Sequence, residues 1–185
     1  MTAAQSSASP PQTAVAKSLV PARLHSHELT MTVLMTPDMA NFAGNVHGGA
    51  LLKLLDQVAY ACASRYAASY VVTVSVDQVE FRQPIHVGEL VTFLASVNHV
   101  GTSSMEVGIK VLAEDIRTRG ARHVNSCFFT MVAVDEHHRK VKLAPLELAT
   151  AEQRRRSARA VLRRSLRQEL SARFDSETAQ PGASA

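Results

Sequence analysis

The chain has no tryptophan, and phenylalanine and tyrosine together make up only 5% of it. Single-stranded nucleic acid is gripped by aromatic side chains interleaved with basic ones, so a nucleic-acid partner is not expected. Cysteine is almost as scarce. Cys62 and Cys127 lie far apart in apolar segments with no C-x-x-C spacing, which excludes a disulfide framework, fits a reducing compartment and marks both as small buried hydrophobes. No apolar run approaches the roughly 18 to 20 residues needed to cross a bilayer, and the N-terminus has neither a charged start nor an apolar signal core. The expected location is the cytoplasm, with no membrane partner. Two catalytic signatures are also missing. There is no Gly-x-Ser-x-Gly elbow, and the Gly101-Thr102-Ser103-Ser104 turn lies between strands instead of leading from strand to helix, which disfavours a covalent acyl-enzyme. There is no H-E-x-x-H, and His25, His27, His137 and His138 sit in or near tails and turns, so no metal is expected.

What is present fits one globular domain with tails: 185 residues, 46% hydrophobic and 19% charged, enough for a core without covalent staples. Residues 1–24, rich in Ala, Ser, Gln, Thr and Pro, are expected to be a disordered tail. The folded domain is placed at 25–148, a basic amphipathic helix at 149–172, and a second disordered tail at 173–185. The net charge of +4 is concentrated in that helix, at Arg154, Arg155, Arg156, Arg159, Arg163, Arg164 and Arg167. Composition leaves open whether these arginines form a solvated face or attract RNA, an anionic membrane or the phosphates of a nucleotide-like ligand. Val161, Leu162, Leu166 and Leu170 recur at helical spacing among them.

Period-two patterning dominates the middle of the chain. Val72, Val74 and Val76 form one run, Val91, Phe93, Ala95 and Val97 a second, Met105, Val107, Ile109 and Val111 a third, and Ser126 to Val132 a fourth. Breakers at Pro84 to Gly88, Gly101 and Gly120 separate the runs, and such short connections imply antiparallel neighbours. With a strand at Glu28 to Met35, a loop at Pro37 to His47 and a helix from Gly48 to Ala67, the order is strand, helix, then four strands. The fold class is α+β: a long antiparallel sheet must bury one face, and curving it around the single apolar helix does so.

The loop-to-helix block from Asn41 to Ala59 reads as a site. Gly48 and Gly49 let backbone approach a ligand, and the amides at a helix start have no intrahelical acceptors, so they can polarise a carbonyl. Asp56 interrupts the apolar pattern of the helix, on a face shared with Leu52, Ala59 and Ala63, which points to a carboxylate acting as general base, its pKa raised by burial. Asn41 and Asn45 are turn residues by default, and either amide is suited to orienting a water or a carbonyl; the residues alone leave that choice open. His47 reads as a brace for the loop. Asp56 lies about 10 Å from the first amides of its own helix, at roughly 1.5 Å per residue, too far to share one water with them.

Taken together, Asn41 to Asp56, the strand Val72 to Phe81, the phrase Pro84-Ile85-His86-Val87-Gly88-Glu89, the turn Gly101 to Met105 and the ending Phe129 to Asp135 resemble the hotdog-fold acyl-CoA thioesterases. The resemblance is to the branch of short bacterial acyl-CoA thioesterases and cytosolic acyl-CoA hydrolases, and covers about Leu29 to Leu170. It implies a curved sheet around a central helix, two copies side by side as a dimer, and hexamers built as trimers of dimers. It also implies a site at the dimer interface in which Asn41 of one copy faces Asp56 of the other, with Asp56 activating a water and an amide near Gly49 stabilising the oxyanion. CoA would run along Val74, Ser75 and Val76 and along Ser103, Ser104 and Met105, with Arg163 near its phosphates. No separate cofactor is implied, since coenzyme A arrives as part of the substrate. A non-catalytic acyl-CoA sensor of the same fold is the alternative.

Overall fold

A glycine pair at one end of the first long helix and a left-handed alanine at the other mark its limits in the computed structural model, which describes residues 27–77 and 79–178. The elements are β1 (Glu28–Leu34), a short 3-10 turn (Pro37–Met39), α1 (Gly48–Ala67), β2 (Tyr70–Asp77), β3 (Leu90–Val100), β4 (Ser104–Asp115), β5 (Gly120–Val134) and α2 (Ala151–Thr178). All strands join one antiparallel sheet in the order β1-β3-β4-β5-β2, so β1 and β2 are its edges. The sequence-based order and the limits of α1 agree with this arrangement. The expected tail at 1–24 lies outside the described residues, as do residues 179–185.

Period two places Val91, Phe93, Ala95 and Val97 of β3, Met105 to Ala113 at every second position of β4, and Cys127, Phe129, Met131 and Ala133 of β5 on one face, all buried. Helix α1 fills that face with Leu51, Leu55, Val58, Ala59, Cys62 and Ala63, the i, i+4, i+7 stripe of an amphipathic helix. Each leucine so buried contributes roughly 1.5–3 kcal/mol.

In β2 the expected row of Val72, Val74 and Val76 does not form one buried face. Thr73 pairs with Met131 and Ser75 with Thr130, so Val74 is the extra residue of a bulge, and it is 61% exposed. The bulge resets the alternation. Val71 and Thr73 lie opposite inward residues before it, Val76 after it, and Asp77 opposite the outward Phe128.

Helix α2 starts in a capping box, since the Gln153 amide donates to Thr150 Oγ1 and the Thr150 amide donates to Gln153 Oε1. It continues to Thr178, so the tail expected from residue 173 is helical through 178. It lies on the outer face of the sheet with its apparent polarity inverted. Arg156, Arg163 and Arg167 turn towards the sheet, while Leu162, Leu166, Leu170 and Phe174 are more than half exposed. The inward arginines meet outward-facing acids of the strands. Arg163 holds Glu106 through two bonds, of 2.6 and 3.1 Å, and stacks 3.5 Å above the Phe128 ring. Arg167 pairs with Asp77, which the β2 bulge has turned outward. Arg156 reaches Ser96 Oγ at 3.3 Å, and Ser96, Asn98 and Glu106 form a buried chain of bonds of 2.9 and 3.2 Å. Gly108 makes room for that chain, because a Cβ there would stand 2.3 Å from Asn98 Nδ2.

Removing Arg163 strands a carboxylate whose side chain is 6% exposed. Arg163→Met is therefore expected to cost about 3 kcal/mol in urea denaturation, whereas Arg159→Met, on the exposed side of α2, is expected to stay within about 0.5 kcal/mol.

Candidate active site

Asn41 begins a tight hairpin that the pairing of Ala40 with Val46 closes. Its amide donates to Asn45 O at 2.7 Å, and Gly44, at φ +79°, supplies the left-handed turn. The side-chain carbonyl of Asn41 accepts from the amides of Ala43 and Asn45, at 2.9 and 3.1 Å. The turn role and the site role of Asn41 thus coexist: Oδ1 shapes the loop, and the Nδ2 amine is left as the group able to donate to a ligand. Asn45 contributes backbone, pairing with His86.

His47 does more than brace the loop. It is the N-cap of α1, and its Nδ1 accepts the Gly49 amide at 2.9 Å, which puts the ring proton on Nε2. The Gly49 amide, expected as an oxyanion donor, is therefore engaged. The Gly48 amide beside it has no acceptor among the described residues, and the Phe81 ring lies against this glycine, 3.5 Å from where a Cβ would stand.

Asp56 is exposed, not buried as the sequence suggested. The buried stripe of α1 runs through Ala59 and Ala63, and Asp56 lies beside it between Leu52 and Tyr60, one helical turn away on either side and 40% and 41% exposed. Its Oδ1 accepts from Thr73 Oγ1 at 2.7 Å. Thr73 was not singled out from the sequence; it faces α1 because it pairs with the inward Met131 just before the bulge. That bond leaves Oδ2 open. Within one chain Asn41 bonds its own loop and Asp56 bonds Thr73, and neither bonds the other. Tyr70, Val74 and Val76 stand exposed on the same edge strand as Thr73, and Tyr60 meets Tyr70 edge to face at 6.0 Å.

The residues expected along CoA divide. Val74, Ser75 and Val76 lie on the β2 edge, with both valines exposed. Ser103 and Ser104 lie at the β3–β4 turn, whereas the Met105 side chain is buried in the core, 2% exposed. Arg163 has its charge matched by Glu106. Its neighbour Arg164 has no ion-pair partner among the described residues and stands against Gly101 and Ser104, at a cavity of about 40 Å³ that His99 and Arg167 also line. Burial, with the Arg164 charge behind it, holds the His99 pKa below its usual value. A larger groove, about 500 Å³, lies on the outer face between the start of α2 and the strands, across the sheet from α1 and Asp56.

A family model described as the thioesterase superfamily matches residues 43–119. The chain is 52% identical over 140 residues to Protein VdlD of Helicobacter pylori, covering 76% of this chain and 80% of that protein. It is 34% identical over 122 residues to an uncharacterized acyl-CoA thioester hydrolase of Zymomonas mobilis, covering 64% and 80%. The chain belongs to the thioesterase superfamily. Among solved structures it resembles a hexameric acyl-CoA thioesterase in its apo form, with TM-score 0.76, 32% identity and coverage of 78% of this chain and 93% of that one. It also resembles an acyl-CoA hydrolase from Staphylococcus aureus in complex with butyryl coenzyme A and coenzyme A, with TM-score 0.73, 26% identity and coverage of 83% and 95%. The hotdog architecture expected from the sequence is the architecture found.

The thiols take no part in a thioesterase site so placed. Cys62 and Cys127 are fully buried in the core, and burial pushes both pKa values up to about 12, far from the thiolate that nucleophilic attack requires. Iodoacetamide at pH 8 is expected to leave the folded protein unmodified at both positions and to alkylate both after denaturation. Mass spectrometry reads the difference, and a folded protein alkylated with loss of activity would restore a cysteine nucleophile.

Proposed function

We propose that the chain hydrolyses the thioester of acyl-CoA by direct attack of water, at a site completed by a second copy of itself. One observation carries this: an Asp56–Thr73 pair stands exposed on the α1–β2 edge, out of hydrogen-bond contact with the Asn41 loop of its own chain and rimmed by apolar side chains. A carboxylate with an apolar rim beside an unprotected edge strand fits a surface that another copy covers. The hexameric state of a solved relative supports this direction of assembly.

In this mechanism Oδ2 of Asp56 takes a proton from water while Thr73 holds Oδ1, so that the carboxylate is aimed and only one oxygen works as the base. The water oxygen bonds to the thioester carbon. Asn41 of the second copy, able only to donate through Nδ2, orients the carbonyl or the water, and the Gly48 amide at the start of that same copy's α1 stabilises the developing oxyanion, with Gly49 held aside by His47. Collapse breaks the carbon–sulfur bond, and the departing thiolate recovers the proton from Asp56. The products are the free acid and coenzyme A; no metal or further cofactor enters. Pantetheine lies along the Val74 to Val76 edge and the Ser103–Ser104 turn. Its phosphates fall to Arg164 in preference to Arg163, whose charge Glu106 already neutralises. No helix among the described residues is long and apolar enough to cross a membrane, and we take the protein as cytoplasmic.

A free-thiol assay across short to long acyl-CoA esters tests the reading. Asp56→Ala is expected to lower kcat by about 10²- to 10⁴-fold and Asn41→Ala by about 10²- to 10³-fold. Thr73→Ala is expected to cost roughly tenfold, the worth of one hydrogen bond to a charge. Arg164→Ala is expected to raise KM with kcat unchanged, as lost ground-state binding does. Robust turnover by Asp56→Ala would end the mechanism, and tight acyl-CoA binding without thiol release would favour the sensor.

A further inference from the structure

Glu89 anchors a second closely held ion pair, away from α2 and outside the candidate active site. Only 7% exposed, it sits at the end of the loop joining β2 to β3. Arg122, projecting from β5, spans both of its oxygens at 2.6 and 2.9 Å, and the same guanidinium donates to Pro84 O at 2.6 Å. The His86 amide donates to Glu89 Oε2 at 2.8 Å. One guanidinium thus holds the loop from Pro84 to Glu89 at both ends and, through the carboxylate, at its middle. That is the bidentate geometry to which arginine is suited and lysine is not. Arg122 holds the Glu89 carboxyl below the usual carboxylate range. A carboxylate with a lowered folded value lends stability that is present above its unfolded pKa and lost as pH falls through the lowered one, so the pair is fully formed at neutral pH.

The loop it holds is the backing of the Asn41 hairpin. Val46 donates its amide to Ile85 O at 2.8 Å, Asn45 pairs with His86, and Asn41 donates its amide to Asn45 O at 2.7 Å. The other side of the hairpin rests on Met39, whose carbonyl accepts the His47 amide at 2.8 Å. The Asn41 loop therefore has one wall in its own segment and one in the Pro84–Glu89 loop. We propose that the Arg122–Glu89 pair is a positioning device for the reaction, fixing the Pro84–Glu89 loop and, through Val46 and Asn45, the placement of Asn41. The catalytic part of this inference rests on the role given to Asn41 above; the mechanical coupling stands without it. Displacement of a reacting group by about 1 Å is enough to cost on the order of 10²-fold in rate, so a loosened wall would be read in turnover before it was read in substrate binding.

The test uses the full chain with Arg122→Met and with Arg122→Met combined with Glu89→Gln. The single variant leaves a buried carboxylate without its partner and loses stability. The double variant removes that stranded charge and recovers stability, but it still lacks the anchor at Pro84. Expected for the double variant is a melting temperature near that of the wild type, kcat reduced by roughly tenfold or more, and KM for acyl-CoA within about threefold. Amide hydrogen exchange at Val46 should be at least about tenfold faster, while amides of the central strands, such as Ile109 and Phe129, stay protected. A stable double variant with wild-type kcat and wild-type exchange at Val46 would reduce the pair to a structural contact and overturn the proposal. Faster exchange at Val46 with unchanged kcat would overturn the catalytic half alone. Failure of the wild type to release thiol would instead defeat the hydrolase reading, while exchange at Val46 would still decide the coupling.

Discussion

Leu51, Leu55, Val58, Ala59, Cys62 and Ala63 of α1 are held against the inward rows of β3, β4 and β5, and every functional position is set from that contact. A helix gripped along one stripe has its rotation fixed, so the residues on either side of the stripe are fixed as well. Asp56 stands just outside it, which is why it emerges at the sheet margin, beside β2, where Thr73 can reach it. The same grip sets the helix start against the Asn41 hairpin and Phe81, so that His47 can cap one amide and leave its neighbour open. Burial supplies the energy and hydrogen bonding supplies the aim; neither would place the site alone.

The outer face is organised by charge. Glu106, Asp77 and the Ser96–Asn98 pair would be costly polar groups beneath a helix, and arginines turned inward satisfy them. A buried carboxylate cannot be matched by leucine, so α2 presents its guanidinium groups to the sheet and leaves its leucines outward. The helix is consequently a clasp across β3, β4 and β2, and its apolar outer ridge is a consequence of where the acids lie.

Much of this was legible in the sequence, and the parts that were not share a cause. The limits of α1 followed from Gly48 and from a long apolar period, and β3 to β5 followed from strict alternation, because both patterns report burial directly. The bulge at Val74 carries no local signal: Val72, Val74 and Val76 alternate faultlessly, and only pairing against β5 inserts the extra residue. Thr73 was missed for that reason, and Asp77 with it. The orientation of α2 is not legible in the sequence, because arginine reads as a solvent-facing residue until an acid on a distant strand is seen opposite it. The resemblance implies Arg163 beside the phosphates, but Glu106 holds that guanidinium, while Arg164, one residue on, faces the Gly101–Ser104 turn. Asp56 was expected to be buried because a sheet around a helix suggests that all of the helix is covered; an edge strand leaves one flank open.

That open flank changes what the loop-to-helix block means. Asn41 has spent its carbonyl on the hairpin and keeps only a donor, and Asp56 has one oxygen held by Thr73 and keeps only an acceptor. The two are chemically complementary, and in one chain neither hydrogen-bonds the other. In the mechanism we propose, a donor fixed on a braced hairpin and an acceptor fixed on a gripped helix gain function when a second copy brings one to the other. The rigidity that keeps them apart within a chain is then what would make their meeting across an interface reproducible.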